Sequence, residues 1–199
     1  MSERRSVARL NPGQPAPDFA ARTKDGQIVR LSDFRGQIIW LIFYRYPGCP
    51  ICNLHLSALT KRYSWIHNSK VKVITVFESP AELFPKSLAG QPYPPFPFIA
   101  DPERRLYQLY QTECLSPASI LRPRVAYKFF EALFHGKKQG KITGHLGQKP
   151  AHFLIAEDGI LDVAFYGRDA ADHIPWTTVD AYAQERQIGN WNPGKSVVL

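Results

Sequence analysis

Two cysteines stand two residues apart in "RYPGCPICNLHL", Arg45 to Leu56, and the 199-residue chain has only one more. Thiols at this spacing can serve as a redox couple, as half of a metal site, or as core packing. An apolar run ends just before the motif and an amphipathic one starts inside it, so Cys49 falls at a helix N-terminus with Pro50 in the first helical position. Unpaired amide groups and the positive end of the helix dipole stabilise a thiolate there, which makes Cys49 the attacking sulfur. Cys52 lies one turn later on the same side, within reach of a mixed disulfide at Cys49, and is the resolving thiol. This chemistry needs Cys49 open to solvent at a strand-to-helix junction. A structural zinc knuckle needs four ligands, and the chain has no second paired unit, only an isolated Cys114 and scattered histidines. His55 reads as a helix-surface residue, and His152 and His173 show no metal-type spacing. No metal ligand and no cofactor is therefore assigned, since sulfur carries the electrons itself.

The elements that must position these groups follow from periodicity. "QIIWLIFYR" is a continuous apolar run of the kind buried on both faces in the centre of a sheet. From Ile51, the residues Leu54, Ala58, Leu59, Tyr63 and Ile66 keep a spacing near 3.6 and predict a helix. "KVKVITVFES" reads as a second buried strand, followed by a short helix over Ala81 to Leu88. Asp101 is a cap and Pro102 the first residue of the next helix. "RPRVAYKFFEALFHG" is a helix ended by Gly136, "KKQGKITGHLGQ" a basic glycine-rich loop, and "AHFLIAEDGILDVAFYG" a hairpin turned at Glu157-Asp158-Gly159. A last helix covers Trp176 to Arg186. This order gives an α/β chain with a mixed central sheet flanked by helices, an N-terminal β extension, and a helical insert near residues 103 to 145. The domain boundaries read as an arm over 1–15, one domain over 16–188 and a tail over 189–199.

Composition narrows the functions. Apolar residues make up 44% of the chain and aromatic ones 13%, enough for a sizeable core. The net charge of +8 is spread over separate segments without an aromatic ladder, so nucleic acid is not an expected partner. The longest apolar run is far short of a membrane span, and the N-terminus has no apolar stretch behind its charges, so the expected location is the cytoplasm. Few cysteines and a close pair fit a reducing compartment. A homodimer is left open.

"GQKPAHFLIAEDG" holds a second feature. Proline just before a β run belongs at the strand's first residue, where a cis Lys149–Pro150 bond is allowed. Pro150 with its glycine hairpin resembles the cis-proline strand of thioredoxin-fold proteins, whose loop packs against the reactive cysteine and lines the substrate groove.

Residues 10 to 186 as a whole resemble the peroxiredoxin-like branch of the alkyl hydroperoxide reductase and thiol-specific antioxidant family. The likeness is carried by "GQPAPDFAARTKDGQIVRLSDFRGQIIWLIFYRYPGCPICNLHL", then by "IADPERRLYQLY", "LRPRV" and "YGRDAADHIP". It implies a thioredoxin-like fold, a hydroperoxide or disulfide substrate, and an external thiol reductant such as a thioredoxin system. The family pattern has threonine or serine three residues before the cysteine and an arginine just before the last core strand. Here those positions hold Tyr46 and Pro150. Two donors aimed at developing charge are thus missing, and losing one commonly costs about 3 kcal/mol. Arg45 and Arg168 are the candidates to replace the arginine, and Tyr46 to supply a hydroxyl. Because of these departures, disulfide exchange stays open beside peroxide reduction. So does a different class, a redoxin-fold binding module with inert thiols that uses the basic loop Lys137 to Lys141 and the aromatic insert as contact surfaces.

Overall fold

In the computed structural model, residues 9–85, 93–189 and 191 are described. The five-stranded sheet has the order β5-β4-β3-β6-β7. Its centre is β3 (Ile38–Phe43), the apolar run, in which every residue is buried. Strand β4 (Val71–Phe77) runs parallel to β3 and β5 (Phe98–Ala100) parallel to β4, while β6 (Ala151–Ile155) and β7 (Leu161–Tyr166) close the other edge as an antiparallel hairpin. The parallel β3–β4 pair requires a crossover, and α1 (Pro50–Asn68) supplies it. A separate two-stranded ribbon, β1 (Ala20–Arg22) with β2 (Ile28–Arg30), is the N-terminal β extension.

Alternation along β3 divides the core. Trp40, Ile42 and Tyr44 face α1, α3 (Pro123–Phe134) and α4 (Trp176–Gln187), and Ile39, Leu41 and Phe43 face α2 (Arg105–Leu109) and the N-terminal segment. The buried stripe of α1 is Ile51, Cys52, Leu56, Leu59 and Ile66, whereas Leu54 and Ala58 are only half-buried. The helix is rotated from the predicted face because both sides of its first turns carry neighbours, the sheet below and α3 alongside.

Two sequence expectations are corrected. Pro102 is not helical: Arg104 is left-handed at φ 59°, and α2 begins at Arg105. Asp101 still caps it, its carboxylate accepting from the amides of Arg105, Leu106 and Tyr107 across the intervening turn. The Lys149–Pro150 bond is trans. Residues 113–115 and 147–149 run as a short antiparallel ladder that brings the chain to Pro150 extended, with Leu115 donating to Gly147 and Lys149 to Glu113. Within the expected N-terminal arm, residues 10–16 run extended along the sheet. The Gly13 amide donates to Leu161, the Leu161 amide to Gln14 and the Ala16 amide to Gly159, so this stretch lines the outer edge of β7. Of the helix expected over Ala81–Leu88, a single 3-10 turn is present at Ala81–Leu83; its last three residues, most of the C-terminal tail and residues 1–8 lie outside the described residues. No helix among the described residues is long and apolar enough to cross a membrane.

Candidate active site

The end of β3 is fixed before the cysteines are reached. Tyr44 donates its amide to Val76, the Tyr107 hydroxyl donates to the Tyr44 carbonyl at 2.6 Å, and the Glu78 amide donates to the Arg45 carbonyl. The turn Tyr46-Pro47-Gly48 then delivers Cys49 to the N-cap of α1, with Pro50 first in the helix. The Cys49 sulfur accepts from the Cys52 amide at 3.4 Å, as a cap should. It also accepts from Arg45 Nη1 at 3.5 Å, and Arg45 is itself only 4% exposed.

These contacts give the two sulfurs opposite characters. Burial opposes a charge on Cys49, but the Cys52 thiol as hydrogen-bond donor, the Arg45 guanidinium, and the amides of Cys52 and Ile51 outweigh it and lower its pKa from 9.0 to about 6. Cys52 is pushed well above the usual thiol range by burial and by its donation to Cys49. One sulfur is thus an anion at neutral pH and the other a protonated thiol, as an attacking and resolving pair requires.

The other sequence candidates divide. Arg45 reaches the sulfur. Arg168 does not: its side chain is 79% exposed and is bound to Asp172 at 2.8 Å, so its guanidinium is spent at the surface. The Tyr46 ring lies under the Arg45 guanidinium at 5.3 Å, and its hydroxyl accepts from Gln139 at 3.4 Å instead of turning to Cys49. Pro150 is buried; the β3–β6 register pairs Phe43 with Ala151, so Pro150 falls opposite Tyr44 at the sheet end that carries the cysteines. Cys114 is exposed and unpaired, bridged by its backbone to Gln148. Among the described residues no cysteine joins a group of metal-ligating side chains.

The open nucleophile expected from sequence is not what the fold presents. Cys49 is 1% exposed. The basic, glycine-rich loop 137–148 lies across the cysteine turn as a strap. Gly140 donates to the Gly48 carbonyl at 2.9 Å, Lys137 binds the Ser57 hydroxyl, Thr143 meets Ser79 at 2.5 Å, and His145 pairs with the buried Glu78. Gly48 is glycine because a Cβ there would sit 2.7 Å from the Lys141 carbonyl. The insert therefore lies over the cysteine turn. Its paired positions, among them Glu78, Gln139 and His145, carry no motif in the sequence.

A thioredoxin-like sheet with a thiolate capping the helix that follows its central strand defines a thiol oxidoreductase of the thioredoxin fold. Residues 12–164 match the AhpC/TSA family, and the chain belongs to it. It is 34% identical to peroxiredoxin 2 of Caldanaerobacter subterraneus subsp. tengcongensis over 94% of this chain and 78% of that protein. It is 20% identical to the thiol-disulfide oxidoreductase ResA of Bacillus subtilis over 72% of this chain and 73% of that one. The crystal structure of the reduced 2-Cys peroxiredoxin of Plasmodium vivax superposes with a TM-score of 0.63 at 17% identity, covering 94% of this chain and 91% of that one.

Proposed function

We propose that the chain reduces hydroperoxides through Cys49, in the reducing cytoplasm that its cysteine usage suggests. The observation that carries this reading is the Arg45 guanidinium, 3.5 Å from a buried sulfur whose pKa is about 6. It supplies one of the two electrostatic donors that the sequence pattern lacks, aimed at the atom where charge is transferred. The enclosed position of the sulfur also favours a small oxidant.

In the first step the Cys49 thiolate attacks the distal peroxide oxygen. An S–O bond forms, the O–O bond breaks, and the alkoxide leaves as the alcohol once it takes a proton. Cys49 is then a sulfenic acid. The Cys52 sulfur, losing its proton, attacks it; the S–S bond forms, the S–O bond breaks, and water departs. An external dithiol of the thioredoxin type returns both cysteines to thiols by exchange.

A second reading, reduction of protein disulfides, is favoured by the Cys-x-x-Cys spacing and by the absence of a threonine at position 46. Stopped-flow mixing of the reduced protein with hydrogen peroxide and, separately, with a model disulfide tests both. A peroxide rate constant well above the disulfide one supports the proposal; the reverse order replaces it with exchange. Cys52→Ser should trap the species formed on Cys49, a sulfenic acid in one case and a mixed disulfide in the other.

A further inference from the structure

Three histidines separated by as much as 118 positions converge on the helix side of the sheet, the first of them one turn beyond Cys52 on α1, and none has a part in the thiol chemistry described above. His55 comes from α1, His152 from the middle of β6, and His173 from the connection between β7 and α4. The His55 and His173 rings stack with centroids 3.9 Å apart, and His152 meets them edge-on at 5.5 and 5.2 Å. One ring nitrogen from each residue lies within 4.8 Å of the other two. We propose that His55, His152 and His173 form a binding site for a first-row transition-metal cation of the zinc class.

One edge of the polyhedron such an ion needs is nearly in place, and the stacked His55 ring must turn to complete it. Two imidazole nitrogens at about 2.0–2.1 Å from a tetrahedral ion are roughly 3.3 Å apart. His152 Nε2 and His173 Nδ1 are 3.0 Å apart, nearly one edge of that polyhedron, and ring rotation of His55 brings in the third nitrogen. Burial and the neighbouring rings hold all three imidazoles well below their usual pKa, so they are neutral, the form that ligates; Arg124 and Lys128 add to the effect at His173. Three protein ligands leave a fourth position for solvent.

The hydrogen bonding without an ion is incomplete. The Trp40 indole can only donate, and it donates to His152 Nδ1 at 3.2 Å. The His152 proton therefore sits on Nε2 and is given to His173 Nδ1, which places the His173 proton on Nε2. That Nε2 is buried without a partner. So is His55 Nε2, whose Nδ1 is bonded to the Tyr44 hydroxyl at 2.8 Å. An ion on His152 Nε2, His173 Nδ1 and His55 Nε2 takes the place of the proton shared by His152 and His173 and gives the orphaned His55 nitrogen a partner; it leaves His173 Nε2 as it was, moves the His152 proton to Nδ1, and so breaks the bond from Trp40. A groove of about 500 Å³ bordered by His173, Pro175, Arg124 and Tyr166 reaches the His173 edge of the cluster.

The test uses the full-length, tag-free Cys49→Ser/Cys52→Ser variant, so that neither active-site sulfur competes, and cobalt(II) as a spectroscopic stand-in. The expected result is visible d–d absorption that saturates at one cobalt per chain and is displaced by zinc, together with a shift of the Trp40 indole N–H resonance. His55→Gln and His173→Gln, at half-buried positions, should each weaken binding at least about 100-fold. Three results would each overturn the proposal: no saturable binding at millimolar cobalt, binding with an unmoved Trp40 resonance, or binding indifferent to both substitutions. The Trp40 readout needs no histidine variant to fold. Each result leaves the thiol chemistry unaffected.

Discussion

Removing the charge at position 45 should take most of the thiolate from Cys49 at neutral pH. The guanidinium is 3.5 Å from the sulfur. At that separation two unit charges attract by about 5 kcal/mol at an effective dielectric near 20, equivalent to a little over three pKa units. That is an upper bound, because in Arg45→Gln the Cys52 thiol and the two amides still donate to the sulfur, and the site can relax. A rise of about 2 is therefore expected, from the present value of about 6 to about 8. At pH 7 the thiolate fraction then drops from about nine-tenths to about one-tenth. Iodoacetamide alkylation of Cys49, followed by mass spectrometry from pH 5 to 10, reads this directly: roughly tenfold slower than the parent at pH 7 and nearly equal above pH 9. Arg45→Lys should fall between the two. The fold should survive, because position 45 is held through its backbone carbonyl by the Glu78 amide. If Arg45→Gln keeps an alkylation midpoint near pH 6, the amides and Cys52 alone hold the anion, and the reasoning about Arg45 is wrong.

The remaining predictions concern the strap, the pH dependence of stability, and the α2 cap. Gly48→Ala places a methyl group 2.7 Å from the Lys141 carbonyl, so it should dislodge the strap, cost about 1–3 kcal/mol in urea unfolding and speed Cys49 alkylation; unchanged labelling would show that the strap does not limit access. Because the folded Cys49 pKa lies below the unfolded value, its contribution is fully present above about pH 9 and is lost as pH falls through about 6. The reduced protein should thus gain stability with rising pH between these values, by an amount of the order of 4 kcal/mol, and Cys49→Ser should flatten that slope. Asp101→Ala removes the acceptor for three amides of α2 and should cost about 1–2 kcal/mol, measured by thermal or urea unfolding.

Much of the site's scaffold was legible along the chain because the signals that specify it are local. A short apolar run from Ile38 bounded by turn residues reads as a strand buried on both faces, a proline after Cys49 marks the first turn of a helix, and Glu157-Asp158-Gly159 turns a hairpin. Those features alone put a cysteine at a helix N-terminus with a second thiol one turn on. They also identified Arg45 as a candidate, since it is only four residues away.

Contacts between distant segments decided the rest. Arg168 looked equivalent to Arg45 until the fold committed it to Asp172 on the surface. Loop 137–148 has no periodicity to read, yet backbone hydrogen bonds and the bare Cα of Gly48 let it lie close across the turn that carries Cys49. The three histidines occupy unrelated positions in sequence, and only the packing of α1 and the α4 connection against β6 brings their rings together. Spacing along a chain encodes which groups share an element; which elements meet depends on how the two faces of the sheet are filled.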